Sequence, residues 1–271
     1  MWGACDICMM PSVADVAGLN SITRVVIGNA AHALAGMLLF PLPTAETARP
    51  LLGLTMFGVT TPCVEHVSAL FEGQYEVVVF HATGTGGRAF EKLIDSGTLR
   101  HVIDVTLTEV CDLFMGGVMS AGPERLDSVV RTGIPYVGSA GALDMVNFAA
   151  MNTVPEKYRN RNLYVHNANV TLMRTTPEEN AAMGRWIGEK LNQCRGPTRF
   201  VLTEGGVSGI DAPGQPFYDP EADKALFAAL EATVRQTEER RIVRVPRHIN
   251  DPGFAAALAE EFRAVHRNAA S

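Results

Sequence analysis

A glycine-rich segment at residues 83–90, TGTGGRAF, has the residue types and spacing of an anion-binding turn. It follows the apolar run YEVVVFHA and precedes a sequence with helical periodicity, so we expect it to join a strand to a helix. Glycines let the backbone approach a ligand closely, and the free N–H groups at a helix N-terminus favour phosphate. The alternative is a tight turn that binds no ligand. The predicted phosphate site consists of Thr83, Gly84, Thr85, Gly86, Gly87 and Arg88.

The same segment partly matches a dinucleotide-binding fingerprint. Gly84, Gly86 and Ala89 fit the pattern G-x-G-x-x-A, and Asp104 lies about 20 residues further on, where an acidic residue would contact a ribose. The match is partial because residues 81–83 separate the motif from the apolar strand. The sequence G-x-x-x-x-G-K followed by Ser or Thr is not present, which excludes a P-loop ATPase.

Polar residues also follow other apolar runs, at 60–61, 106–109, 138–144, 166–169 and 204–211. In an open parallel sheet ligands bind beyond the carboxyl ends of the strands, so these ends and the glycine-rich segment together predict one site. Turn stabilisation is the alternative for the two aspartates, and a surface salt bridge is the alternative for the arginine. The further candidate ligand-binding residues are Thr60, Thr61, Thr106, Thr108, Asp144, Asn167, Arg174 and Asp211.

Three residues at predicted strand ends, His81, Glu109 and His166, are candidates for acid–base catalysis. Each histidine is equally compatible with a structural, hydrogen-bonded role. Glu109 follows two threonines, so it can instead be the capping partner or the first-turn acid of its helix. No G-x-S-x-G motif is present, and no residue stands out as a covalent nucleophile.

The elements that would position these residues alternate between strand and helix. Helical patterns separate the apolar runs, and Thr176-Pro177 and Asp251-Pro252 have the residue types of helix starts. The alternation predicts an α/β domain with a mostly parallel sheet covered on both faces. The apolar runs that read as buried strands are 51–58, 75–82, 101–108, 134–140, 162–167, 199–204 and 241–246. The helical patterns lie near 62–72, 87–96, 108–115, 124–132, 177–193, 221–239 and 252–267.

The domain organisation predicted from these patterns has two parts. Residues 1–45 form a connector and a first helix, whose small residues would allow close packing against a larger body or a partner. Residues 46–271 form the α/β domain.

Composition limits the function classes. The net charge of -6 argues against nucleic-acid binding through a basic surface. The longest uninterrupted apolar stretch, residues 33–43, is too short to span a bilayer, and no signal-peptide pattern is present. The odd number of cysteines, 5, is typical of reduced thiols. We therefore expect a cytoplasmic protein that binds neither nucleic acid nor membrane, with no metal site.

Long ordered motifs, among them MFGVTTPCVEHV, GGVMSAGPERLD, GSAGALDMVNF, YVHNANVTLMRTTPEE and GGVSGIDAPGQPFYDPEAD, resemble an uncharacterised protein family, the Tm-1-like ATP-binding proteins. The resemblance covers about residues 5–265 and implies two Rossmann-like domains in tandem, of which this chain carries the second. The residues that match the family's motifs are Thr60, Thr61, His81, Thr83, Gly84, Thr85, Gly86, Gly87, Arg88, Thr106, Thr108, Glu109, Arg125, Asp144, Asn147, His166, Asn167, Arg174 and Asp211.

The resemblance also implies a ligand and a partner. The ligand would be ATP or another phosphate-bearing molecule. Because the family's N-terminal domain is expected to be absent here, a homo-oligomer or a partner that supplies that domain is implied. The function predicted first is nucleotide or phosphometabolite binding. The alternatives are an enzyme that acts on a small carboxylate or phosphorylated substrate, and a regulatory protein-binding module.

Overall fold

The computed structural model describes residues 7–41 and 49–268 of the chain, which divides into two units at residues 48 and 49. In the first unit, helix α1 (Ser21–Leu39) begins at a capping box. The Asn20 side chain accepts hydrogen bonds from Ile22 N and Thr23 N, and the Thr23 hydroxyl accepts one from Asn20 N. These bonds satisfy donors that a helix N-terminus otherwise leaves free.

Helix α1 exposes apolar side chains around its whole circumference, including Val25, Ile27, Leu34 and Leu38. A helix that is apolar on all sides is normally buried against other protein segments or in a membrane. Among the described residues, this is the one helix long and apolar enough to cross a membrane by length and composition. A single such helix near the N-terminus is a weak indication, because signal sequences and core helices pass the same test.

The second unit is built on a six-stranded sheet in which every neighbouring pair of strands is parallel. The six strands are β1 (Leu51–Met56), β2 (Glu76–His81), β3 (His101–Thr106), β4 (Tyr136–Gly141), β8 (Thr198–Thr203) and β9 (Arg240–Val245). Their order across the sheet, β2-β1-β3-β4-β8-β9, reverses direction between β1 and β3, which is the position where ligands bind in open α/β sheets.

Helices cover both faces of this sheet and give three layers. On one face α2 and α8 bury a cluster that includes Phe71, Ile103 and Phe254. On the other face α3, α4, α5, α6 and α7 enclose a second cluster, which includes Phe90, Tyr136 and Phe200. The helices are α2 (Thr61–Leu70), α3 (Thr85–Asp95), α4 (Thr108–Met115), α5 (Asp127–Thr132), α6 (Pro177–Gln193), α7 (Pro220–Thr233) and α8 (Pro252–Asn268), with 3-10 turns at Gly58–Thr60, Met151–Thr153 and Glu156–Tyr158. The Rossmann-like α/β fold predicted from the sequence is thus confirmed.

A small antiparallel sheet departs from the predicted pattern. Strands β5 (Met145–Phe148), β6 (Leu163–Asn167) and β7 (Val170–Arg174) pair in the order β5-β7-β6. The run 162–167 was expected as a buried strand of the parallel sheet, and that prediction is wrong, because β6 turns back onto β7 and is largely exposed. Its polar end, residues 166–169, therefore comprises the last two residues of β6 and the hairpin turn at 168–169. Five of the six predicted strand ends belong to the parallel sheet.

Candidate functional site

A cleft of about 410 Å³ lies where the loops after β1 and β2 meet the β6–β7 hairpin. Its wall is mostly apolar, which suits a ligand with an apolar body. The apolar lining residues are Phe57, Val59, Met119, Tyr164, Val170, Leu172 and Ile210, and the backbone of Gly58 completes the wall. Phe57, Met119, Tyr164 and Val170 pack in or against a small buried cluster that joins the hairpin to the edge of the parallel sheet.

Four of the predicted site residues line this cleft: His81, Thr83, His166 and Asn167. The two histidines are exposed, and the His81 ring makes an edge contact with the Phe57 ring at 5.4 Å between centroids. The Asn167 amide oxygen accepts a hydrogen bond from Asn169 N at 2.8 Å, so its NH2 group is the part that it can offer to a ligand. The structure therefore brings together residues from two distant parts of the sequence.

The glycine-rich turn leads from this cleft into α3, but a side chain of the protein already occupies its inner donors. Glu109 Oε1 accepts hydrogen bonds from Gly84 N at 2.7 Å and from Gly87 N at 3.0 Å. The close approach requires glycine, since a Cβ atom on Gly87 would lie 2.1 Å from Glu109 Oε2. The positive end of α3 thus stabilises an internal carboxylate. A ligand phosphate would have to use the outer side of the turn, at Thr83, Thr85 and Gly86.

Glu109 belongs to a buried cluster that sequence reasoning did not find. The Arg125 guanidinium contacts the carboxylates of Glu91 at 3.1 Å, Asp104 at 2.7 Å and Glu109 at 2.9 Å. Burial alone would lower the pKa of Arg125, but the three carboxylates outweigh it and hold the pKa well above its ordinary value. Asp104 also accepts hydrogen bonds from the hydroxyls of Thr55 and Tyr136.

The contacts in this cluster show that Asp104 and Glu109 have structural roles. Asp104 is fully buried and hydrogen-bonded within the fold, so it cannot contact a ribose as the dinucleotide fingerprint would require. Glu109 is also buried, and its two oxygens are bound by backbone N–H groups and by Arg125. Both carboxylates therefore hold the glycine-rich turn, α3 and α4 against strand β3.

Every predicted threonine other than Thr85 makes a hydrogen bond within the fold, and the Thr83 hydroxyl donates to His81 O at 3.3 Å. Buried Thr60 and Thr106 pair through their hydroxyls at 2.8 Å, and the Thr61 hydroxyl donates to Phe57 O at 3.3 Å. The Thr108 hydroxyl is buried and donates to the backbone of β5, at Met145 O. Arg88 donates from Nη1 to Ser120 O at 3.1 Å, which ties α3 to the loop after α4.

Asp144, Arg174 and Asp211 lie in a second buried cluster, and none of them is among the residues that line the cleft. Arg174 Nη2 donates to Asp223 Oδ1 at 2.9 Å, and the surface salt bridge considered for Arg174 is ruled out because its side chain is only 4% exposed. Asp211 accepts a hydrogen bond from Val207 N, as expected for turn stabilisation, and Asp144 accepts one from the Ser208 hydroxyl. Burial raises the pKa of Asp144 and Asp223, and the neighbouring Asp211 raises both further.

Asp112 is another structural carboxylate that the sequence did not single out. It accepts hydrogen bonds from Met119 N and from Asn147 N, each at 2.7 Å. Burial raises its pKa to about 7, against the opposing effect of these bonds. Within the described residues, no group of three or more His, Cys, Asp or Glu side chains is arranged to hold a metal ion.

Comparison with known proteins gives close relatives. A UPF0261 protein of Rhizobium meliloti (strain 1021) is 59% identical over 259 residues, which cover 95% of this chain and 65% of the relative. A UPF0261 protein of Clostridium tetani (strain Massachusetts / E88) is 50% identical over 260 residues, covering 96% and 64%. The ToMV resistance protein Tm-1(GCR237) of Solanum lycopersicum is 44% identical over 266 residues, covering 96% and 35%. The chain spans less than two thirds of the length of these curated relatives.

The family assignment extends over both units. Residues 49–266 match the C-terminal domain of an uncharacterised protein family, UPF0261. Residues 1–42 match the N-terminal domain of the same family, which corrects the expectation that no part of that domain is present. The resemblance predicted from the sequence motifs is confirmed: the chain belongs to the UPF0261 family, to which the tomato Tm-1 proteins are similar.

Proposed function

We propose that the α/β unit binds a nucleotide or another phosphate-bearing metabolite in the cleft between the parallel sheet and the β6–β7 hairpin. One observation carries the proposal: His81, Thr83, His166 and Asn167, which come from two distant parts of the sequence, line the same cleft. The cleft lies beyond the carboxyl ends of β1 and β2, beside the strand-order reversal where such folds bind ligands.

The chemistry of the lining supports an amphipathic ligand. The apolar wall, with Phe57 and Tyr164, suits a ring such as a nucleobase. The amide of Asn167 and the two imidazoles can donate hydrogen bonds to phosphate oxygens. The Thr83 hydroxyl can do the same when it turns away from His81 O, to which it donates at 3.3 Å. In this arrangement the phosphate lies on the outer side of the glycine-rich turn, since Glu109 takes the inner N–H groups.

Two imidazoles in one cleft also favour a second candidate function, an enzyme that acts on a small carboxylate or phosphorylated substrate. One histidine could accept a proton while the other donates one. Turnover of a metabolite pool by the wild-type protein, lost in His81→Ala, would support this function. Equal turnover by the two proteins would count against it.

Calorimetric titration with a panel of nucleotides and sugar phosphates tests the binding function. We expect at least one member of the panel to bind, and His166→Ala and Thr83→Val to weaken its affinity by about tenfold, because each removes a hydrogen-bond donor worth about 1.4 kcal/mol. Gly86 is unsuitable as a test position, since an added Cβ would lie 1.9 Å from His81 O and disturb the backbone.

The matched control is His32→Ala, which removes an exposed histidine from α1 and should leave the affinity unchanged. The proposal fails if no panel member binds, or if His166→Ala and Thr83→Val bind the ligand as tightly as the wild type does.

We further propose that the chain functions in the cytoplasm and that α1 mediates assembly, either with a second copy or with a partner that supplies first-domain residues. The support is the apolar circumference of α1, with side chains such as Leu38 and Leu39 each 73% exposed.

A further inference from the structure

We infer that the cleft selects ligands with a single phosphate group and discriminates against di- and triphosphates. The inference rests on the proposed function, because it names the class of phosphate ligand that the same cleft would take. Its basis is the charge distribution around the cleft.

No charged side chain contributes to the cleft lining in the described part of the chain. The polar side chains that line it are those of Thr83, Asn167 and Tyr164 and the two histidines, which supply donors suited to one anionic group. Polyphosphates are normally held by Lys, Arg or a metal ion that neutralises several charges. The lining lacks such groups, and the described residues form no metal-holding cluster.

The arginines that could reach the neighbourhood are engaged elsewhere. Arg88, which immediately follows the glycine-rich turn, donates to Ser120 O and lines a separate hollow beside Glu91. Arg125 is buried among its three carboxylates. Neither residue is among those that line the cleft.

Two carboxylates instead lie directly behind the cleft wall. Glu109 accepts a hydrogen bond from the N–H of Gly84, the residue after the lining Thr83. Asp112 accepts one from the N–H of Met119, which itself lines the cleft. Glu109 is paired with Arg125, and burial raises the pKa of Asp112 to about 7, so these groups add no positive charge to the cleft. Nothing in the described lining therefore offsets the charges that a second and a third phosphate would bring. A single phosphate on an apolar body is therefore the best electrostatic match.

Calorimetric titration with AMP and ATP, both in the presence of Mg²⁺, tests the inference. Magnesium reduces the charge of ATP, so the triphosphate is compared under its most favourable condition. Inorganic phosphate and tripolyphosphate form a second pair without a nucleoside. We expect AMP to bind at least tenfold more tightly than ATP, and phosphate more tightly than tripolyphosphate.

Adding a cation to the cleft should weaken the preference for AMP. In Asn167→Arg or Val170→Arg, the ratio of the ATP dissociation constant to the AMP dissociation constant should fall at least threefold. The control Asn160→Arg makes the same charge change at an exposed position outside the cleft lining and should leave the ratio unchanged.

Equal or tighter binding of ATP by the wild type would overturn the inference and leave the proposed function intact. A failure of all four probes to bind would also overturn it. The proposed function would then be decided separately, by whether any sugar phosphate of the panel binds.

Discussion

Arg125 and Glu109 show how buried charges are stabilised at this sheet edge. The guanidinium pairs with three carboxylates, and two of these also accept hydrogen bonds from backbone N–H groups. Glu109 accepts them from Gly84 and Gly87, and Glu91 accepts one from Ser128 at 2.9 Å. Every charged group is therefore multiply hydrogen-bonded, as burial of charge requires. The role of these residues is to fix the turn beside the cleft.

Arg125→Met should lower the free energy of unfolding by about 3–5 kcal/mol, because it leaves buried carboxylates without their counter-ion. The measurement is urea denaturation followed by circular dichroism. Arg131→Met is the matched control, since Arg131 forms an exposed pair with Asp95 and exposed pairs contribute about 0–1 kcal/mol. Equal losses in the two variants would contradict the structural role of Arg125.

At the residue scale, the sequence identified four of the twelve described residues that line the candidate cleft. Residue type and position at a strand end identified His81, Thr83, His166 and Asn167. The apolar wall was not predicted, because residues such as Met119 and Ile210 have no chemical signature until the fold brings them together. For the same reason the sequence could not distinguish Glu109, whose carboxylate is buried, from an exposed catalytic acid.

At the scale of elements, α8 is anchored to the sheet partly through histidine. The rings of His101, at the start of β3, and His266, in α8, lie 4.8 Å apart between centroids, and His266 also packs against Phe262. Burial lowers the pKa of both histidines, and that of His266 falls to about 4 through burial and the neighbouring His101. Both rings are therefore neutral in the folded protein at neutral pH.

Stability should decline in acid because of this contact. Unfolding exposes His266, whose pKa returns to about 6.5, so the unfolded chain binds more protons than the folded chain between pH 6.5 and pH 4. The contribution of the contact is complete above about pH 6.5 and is lost as the pH falls towards 4. The free energy of unfolding, measured by urea denaturation across this range, should fall less steeply in His266→Phe.

A control for this experiment is His32→Phe, which replaces an exposed histidine of the first unit and should keep the wild-type slope. An unchanged slope in His266→Phe would mean that other groups cause the acid dependence.

The elements of the parallel sheet were predictable because each strand is a continuous apolar run followed by a helical pattern. The small sheet was not, because β5 has only four residues and β6 carries the polar ending that marked the other strands. A strand of a hairpin and a strand of the parallel sheet can both be an apolar run that ends in polar residues. Only the strand with which each one pairs distinguishes them.

At the scale of the whole molecule, the chain consists of an α/β unit with its own buried clusters and a first unit that exposes apolar surface. The two matches to the UPF0261 family divide the chain at nearly the same place. The architecture of the second unit therefore does not require the first.

A chain that begins at residue 49 should fold and keep the unfolding transition of the α/β unit. We expect it to be monomeric by light scattering, whereas the full chain should self-associate through α1, because large exposed apolar patches drive association. Val25→Glu combined with Leu34→Glu should reduce the association of the full chain. A shortened chain that is unfolded, or that associates as strongly as the full chain, would contradict this expectation.

The hydrogen bonds between Glu109 and the glycine-rich turn have a consequence for evolution within the family. Positions 84, 87, 109 and 125 form one steric and electrostatic unit, in which a side chain at position 87 would displace the carboxylate and the loss of the carboxylate would leave the arginine and two N–H groups unmatched. These four positions should change together in family sequences. A relative that has lost every ligand contact could still keep the glycines, so the motif traces common descent more reliably than shared ligand chemistry.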